Sequence, residues 1–153
     1  MYQVVVQRAI SGFSIPSTPK LKDWTKHTLQ EKMPNAEVTI RIVDKKEMIF
    51  LNSTYRKKDK PTNVLSFPSD MPLDIPLDIR VLGDIVICAE VILEEAKAQE
   101  KTVEAHWAHM IVHGILHLLG YDHENDKDAD IMEAEEIIIL KKLGFNNPYQ
   151  MTE

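Results

Sequence analysis

The segment "VHGILHLLGYDH", residues 112–123, restricts what this chain can fold into more than any other stretch. His113 and His117 stand four residues apart, close to one helical turn, so both imidazoles project from one helix face and reach one point. Gly120 follows, and glycine leaves a helix in the left-handed conformation that a side chain resists. The reversal brings His123 back toward the same point. Three neutral imidazoles, each about 2.0–2.1 Å from a zinc ion, leave the fourth tetrahedral position open, which is the arrangement of a catalytic rather than a structural site. The expectation is therefore a metal ion held by His113, His117 and His123, with the identity of the ion left open by the ligands alone. His109 lies one further step of four upstream. Each such step drifts about 40° around the helix, so His109 is expected beside the ligands or in the core. His106 and His27 read as ordinary helix residues.

Cysteine usage supports a histidine site. Cys88 is the only cysteine, which excludes an internal disulfide and a thiolate cluster and leaves any metal to His, Asp or Glu. A chain of 153 residues, 44% hydrophobic and 27% charged, fits one globular domain over residues 1–153. No apolar run approaches the roughly 18 residues that span a bilayer, and the start "MYQVVVQRAI" lacks a basic leader with a long apolar core. A cytoplasmic location without membrane contact is expected. The net charge of −6 argues against broad adhesion to nucleic acid. Locally "YRKKDK" opposes it, with Arg56, Lys57, Lys58 and Lys60 facing only Asp59.

The chain reads strand, helix, strand at its start. "YQVVVQR" and "EVTIRIV" are β-branched, and Val38, Ile40 and Ile42 alternate with polar residues as in a half-buried strand. Between them Thr18 is the expected N-cap and Pro19 the first helical residue of a helix running to just before Pro34. Asp44 with Glu47 resembles a capping box and opens a second helix, with the basic stretch at its exit. "TNVLSFPS" and "VLGDIVICA" are further strands, separated by the loop "PSDMPLDIPLDIR", whose Pro72 and Pro76 suggest an ordered, exposed segment next to a site. From Ala89 onward the pattern is helical in three pieces, the last stopped by Gly144. The fold class is α+β: a small mixed sheet of about four strands packed with helices, one of them a zincin-like metal-binding helix.

The histidines and Gly120 match the "HExxHxxGxxH" signature of metzincin proteases, with one departure. Gly114 stands where those proteases carry the glutamate that takes a proton from water. Arg56 points instead to phosphate, because a guanidinium grips two oxygens in a planar fork, although a solvated surface charge reads the same in sequence. The neighbouring lysines offer a path for a polyanion.

Together, "LNSTYRKKDKPTNVLSFP", "LGDIVI" and "HGILHLLGYDH" resemble the YbeY family of bacterial metal-dependent endoribonucleases that mature ribosomal RNA. The motifs run in order from residue 51 to 123, with suitable lengths between them. The resemblance implies a single-strand-specific endoribonuclease with zinc on His113, His117 and His123, and with Arg56 as the arginine used in cleavage. It implies small-subunit rRNA end processing and ribosome quality control, with ribosomal proteins and a ribosome-associated GTPase as partners. Asn63 stands where the resemblance implies aspartate in many members, a departure that removes one negative charge.

Mechanistically, Arg56 is expected to stabilise charge on a pentavalent phosphate, and His113 to act as a ligand of the catalytic ion. No general base is evident. Asp84 and Asp122 each either orient a ligand histidine through its second ring nitrogen or pair with a backbone group. Two other classes stay open. A metzincin-like hydrolase acting on peptides needs a base from outside the helix. A noncatalytic, zinc-stabilised ribosome-assembly factor would lose stability without metal while RNA processing persisted.

Overall fold

Alternation in the strand Ala36–Val43 sets the inner layer: Val38, Ile40 and Ile42 are buried and their intervening neighbours are half-buried. The structure, a computed structural model, describes residues 1–70 and 80–149. Its elements are β1 (Tyr2–Arg8), α1 (Thr18–Leu29), β2 (Ala36–Val43), α2 (Lys45–Arg56), β3 (Val64–Pro68), β4 (Arg80–Cys88), α3 (Ala89–Ala98), α4 (Val103–Leu118) and α5 (Asp126–Lys142). The sheet order is β1-β2-β4-β3. β1 and β2 pair in parallel, as do β2 and β4, while β3 runs antiparallel to β4 on the outer edge. This is the expected α+β arrangement with a four-stranded mixed sheet.

Side chains alternate across the sheet, so each face builds its own core. Val4, Val38, Ile40, Ile85 and Ile87 pack with Leu21, Trp24, Trp107, Ile111 and Ile115 from α1 and α4. Leu65, Val86 and Cys88 face the other way, onto Met48 of α2. Being apolar nearly all round, α4 is covered: Trp107, Ala108, Ile111, Val112, Ile115 and Leu116 are fully buried. Its N-cap Thr102 accepts the Ala105 N–H at 3.1 Å.

Two boundaries differ from expectation. Ser17 caps α1 by accepting from Lys20 N–H, with Thr18 already helical. Either hydroxyl suits the motif, and the position of Pro19 within the first turn does not decide between them. α1 also ends at Leu29, well before Pro34; the chain continues as a turn in which the Lys32 and Met33 N–H groups both donate to Leu29 O. Asp44 does cap α2, accepting the Glu47 N–H at 2.8 Å. The proline-rich loop expected beside the site lies, over residues 71–79, outside the described residues.

Candidate metal centre

α4 carries His113 and His117 on its open side, and Gly120, at φ 102°, turns the chain there. His123 returns to them, and one ring nitrogen from each of the three histidines lies within 4.8 Å of the others. Nε2 of His113 and Nε2 of His117 are 3.2 Å apart. Two nitrogens bound to one tetrahedral zinc would stand about 3.3 Å apart, so the donor set fits such an ion. Burial and the neighbouring His113 and His123 lower the His117 pKa to about 4. It is therefore neutral at neutral pH, the form that ligates metal.

A second layer holds the first in place, and sequence reading missed it. Glu136 of α5 is completely buried. Its Oε2 accepts from His113 Nδ1–H at 2.8 Å, which leaves the His113 Nε2 lone pair facing its partners. Oε1 accepts from the Tyr149 hydroxyl, and His109 Nε2 lies 3.4 Å from Oε2 and 3.2 Å from the Tyr149 oxygen. Burial alone would raise Glu136, but hydrogen bonds from His109, His113 and Tyr149 outweigh it and hold the carboxyl at about 2. Burial lowers His109 in turn. Its buried Nδ1 has no partner, which suits a bare ring nitrogen better than a second N–H. His109 thus sits beside His113, their ring centres 6.3 Å apart, as its helical phase predicts.

The acids singled out in sequence play other parts. Asp84 is exposed on β4, and among the described residues it makes no hydrogen bond to a histidine. Asp122 accepts the His123 backbone N–H at 2.7 Å, bracing the turn. Asn63 donates to both oxygens of Glu95, at 3.1 and 3.3 Å, while its own Oδ1 accepts the Val64 N–H. Glu95 also meets His106 at 2.9 Å, which makes His106 a buried, paired core residue.

A cleft of about 740 Å³ opens over the histidines, with Arg56, Asn63, Ser66, Glu133 and Tyr149 among the residues on its walls. Arg56 reaches it around the sheet edge. Flanking β3, Asn63 O accepts from Cys88 N–H and Ser69 N–H donates to Leu82 O, so the odd-numbered residues turn their backbone groups toward β4 and Ser66 turns its own outward. There Arg56 Nη2 donates to Ser66 O at 3.0 Å, with its guanidinium 5.6 Å from the Phe67 ring centre. Ser66 Oγ points into the molecule and donates to Gly114 O at 3.0 Å. A Cβ at Gly114 would stand 3.0 Å from Ile85 Cγ2 and 3.3 Å from Val64 Cγ2. The sheet therefore occupies the space that the metzincin glutamate would need.

Residues 9–144 match the family of endoribonuclease YbeY. The chain belongs to the YbeY family. The solution structure of TM1509 from Thermotoga maritima shares the fold, with a TM-score of 0.65 and 28% identity over 94% of this chain and 89% of that one. YbeY membership supports an endoribonuclease role in rRNA processing, hence a hydrolase with RNA as substrate. YbeY proteins are generally metal-dependent, and the three histidines of this one can hold an ion. Among the described residues no helix is long and apolar enough to cross a membrane.

Proposed function

We propose that residues 1–153 form one zinc-dependent, single-strand-specific endoribonuclease domain that trims small-subunit rRNA ends and takes part in ribosome quality control. The observation that carries this reading is the meeting of three imidazole nitrogens in one cleft with Arg56 on its wall. Zinc held by His113, His117 and His123 would supply Lewis-acid chemistry toward a phosphodiester. Glu136 keeps the His113 proton on Nδ1, so that ring presents one fixed nitrogen to the cleft. Arg56 spends one N–H on Ser66 O, which aims the guanidinium and leaves its other donors for phosphate oxygens as charge builds in the transition state. Ribosomal proteins and a ribosome-associated GTPase are the partners that go with this role, in the cytoplasm; co-purification with small-subunit particles checks them.

Two features weigh against peptides as substrate. The position of the protease base is taken by packing at Gly114. An extended peptide docking on the β3 edge would also need the Ser66 carbonyl, which Arg56 already occupies.

The test is cleavage of a single-stranded rRNA fragment by metal-loaded protein freed of contaminating nuclease. Arg56→Ala should keep its metal and fold but lose about 100-fold or more in cleavage rate, the usual scale for one lost transition-state donor. His113→Ala should lose metal and activity together. Equal background from all three preparations would instead favour a noncatalytic assembly factor.

A further inference from the structure

We propose that Tyr55, with Lys57, Lys58 and Lys60, forms a subsite that stacks one unpaired base and holds the adjoining phosphates of a single-stranded polynucleotide on its way into the cleft. The proposal rests on the ribonuclease reading above and assigns the residues that select the single strand.

Tyr55 lies in the last turn of α2 and is 58% exposed. A lone exposed aromatic is ordinary, but this one is braced. Its ring meets Phe67 edge to face, with centres 5.2 Å apart at 71°, and the same Phe67 ring lies under the Arg56 guanidinium. Tyr55, Phe67 and Arg56 thus form one unit across the β3 edge, and Arg56 is its end inside the cleft.

Charge points the same way. The chain carries a net −6, and Lys20, Lys32, Arg41 and Lys45 each meet a carboxylate. Lys57, Lys58 and Lys60 are exposed, and none of them makes an ion pair among the described residues. With Asp59 as the only acid in their stretch, they leave an excess of positive charge next to Arg56 on the cleft wall.

The lysine segment is also built rather than loose. Buried Asn52 accepts the N–H groups of Lys57 and Lys58 on its backbone oxygen, and its side chain donates to Lys60 O at 2.8 Å. Lys57 takes the left-handed conformation at φ 60° to make this turn. A braced aromatic ring beside cations carried on an ordered backbone turn is an arrangement that holds single strands, because every unpaired base has a face to stack and every linkage a charge. Bases within a duplex already stack on each other and offer no such face.

The experiment uses full-length, metal-loaded protein and a short single-stranded RNA carrying one 2-aminopurine, with a hairpin of the same composition as control. Tyr55→Ala should raise KM for the single strand about tenfold, with a much smaller effect on kcat, and should abolish the quenching of 2-aminopurine on binding. Tyr55→Phe should restore both, whereas Tyr55→Leu, which keeps apolar contact with Phe67, should not. Replacing Lys57, Lys58 and Lys60 together by alanine should flatten the salt dependence of log KM by about 2, at roughly 0.7 per phosphate contact. Unchanged KM and quenching in Tyr55→Ala, with wild type still cutting, would overturn the subsite and leave the nuclease reading intact. Wild type that neither binds nor cuts RNA would overturn both.

Discussion

At Glu136 a full negative charge sits out of contact with solvent, and three donors make that tolerable: His113, His109 and Tyr149. Glu136→Gln keeps the shape but turns an amide toward groups that were all donating. Metal affinity should fall about 10- to 100-fold, as it does when such supporting carboxylates are removed, and competition with a chromogenic chelator reads it directly. An unchanged affinity would show that His113 holds its orientation without the carboxylate. Asn63 raises a different question, since aspartate is expected at that position in many relatives. Here its amide faces Glu95, whose pKa is lowered by the His106 hydrogen bond despite opposing burial, with help from Asn63. Asn63→Asp would set two carboxylates against each other and should cost about 1–3 kcal/mol at neutral pH. Because protonating the pair relieves the repulsion, urea unfolding should show the deficit shrinking as the solution is acidified.

At the scale of elements, α4 is pressed against the sheet at Gly114 and released from its axis at Gly120. Gly114→Ala gains about 1 kcal/mol of helix propensity and must displace Ile85, a fully buried residue, at about 1–3 kcal/mol for overpacking. A net loss of up to about 2 kcal/mol is expected by thermal unfolding, together with disturbance of the Ser66 to Gly114 hydrogen bond. A raised melting temperature would mean that β3 and β4 yield easily. Gly120 is the reverse case: a Cβ there meets nothing within 4 Å, so any cost is backbone strain. The open β3 edge belongs to this scale too, since it lets a residue on α2 serve a site built on α4.

For the whole molecule, the buried imidazoles and Glu136 tie stability to pH, and an ion held by the three histidines would add to it. Metal-free His117 titrates near 4 against a reference of 6.5, mainly through burial, and His109 is lowered for the same reason. Below about pH 6.5 the unfolded chain takes up protons that the fold refuses. Stability of the metal-free protein should therefore decline as pH falls from about 6.5 to about 4, by up to roughly 1.4 kcal/mol per pH unit for each such proton. Glu136 acts in a lower window. Its carboxyl sits near 2 against a reference of 4.5, so its contribution is complete above about 4.5 and is lost as pH drops toward 2. Urea titrations across this range should show both stages, and a flat profile between 6.5 and 4 would contradict the buried neutral imidazoles. Chelation should lower the melting temperature of metal-loaded protein, because an ion at about a thousand times its Kd adds about 4 kcal/mol to the folded state.

The sequence by itself determined whatever depends on near neighbours in the chain. Helical phase places His113 and His117 together, Gly120 permits the turn to His123, and alternation marks the buried face of β2; each follows from residues a few positions apart. Arg56 was legible as a cation, but its place on the cleft wall needed β3 to be an edge strand. Glu136 was harder to see. It follows Met132 by four residues and precedes Leu140 by four, so an acid on the apolar stripe was the available signal, set among the neighbouring acids Glu133 and Glu135. Whether such a charge is buried depends on which face α5 turns to α4 and on Tyr149 folding back over it, contacts between residues far apart in the chain. Tertiary packing alone decided which carboxylate meets His113, because charge burial is settled by surrounding partners and not by local periodicity.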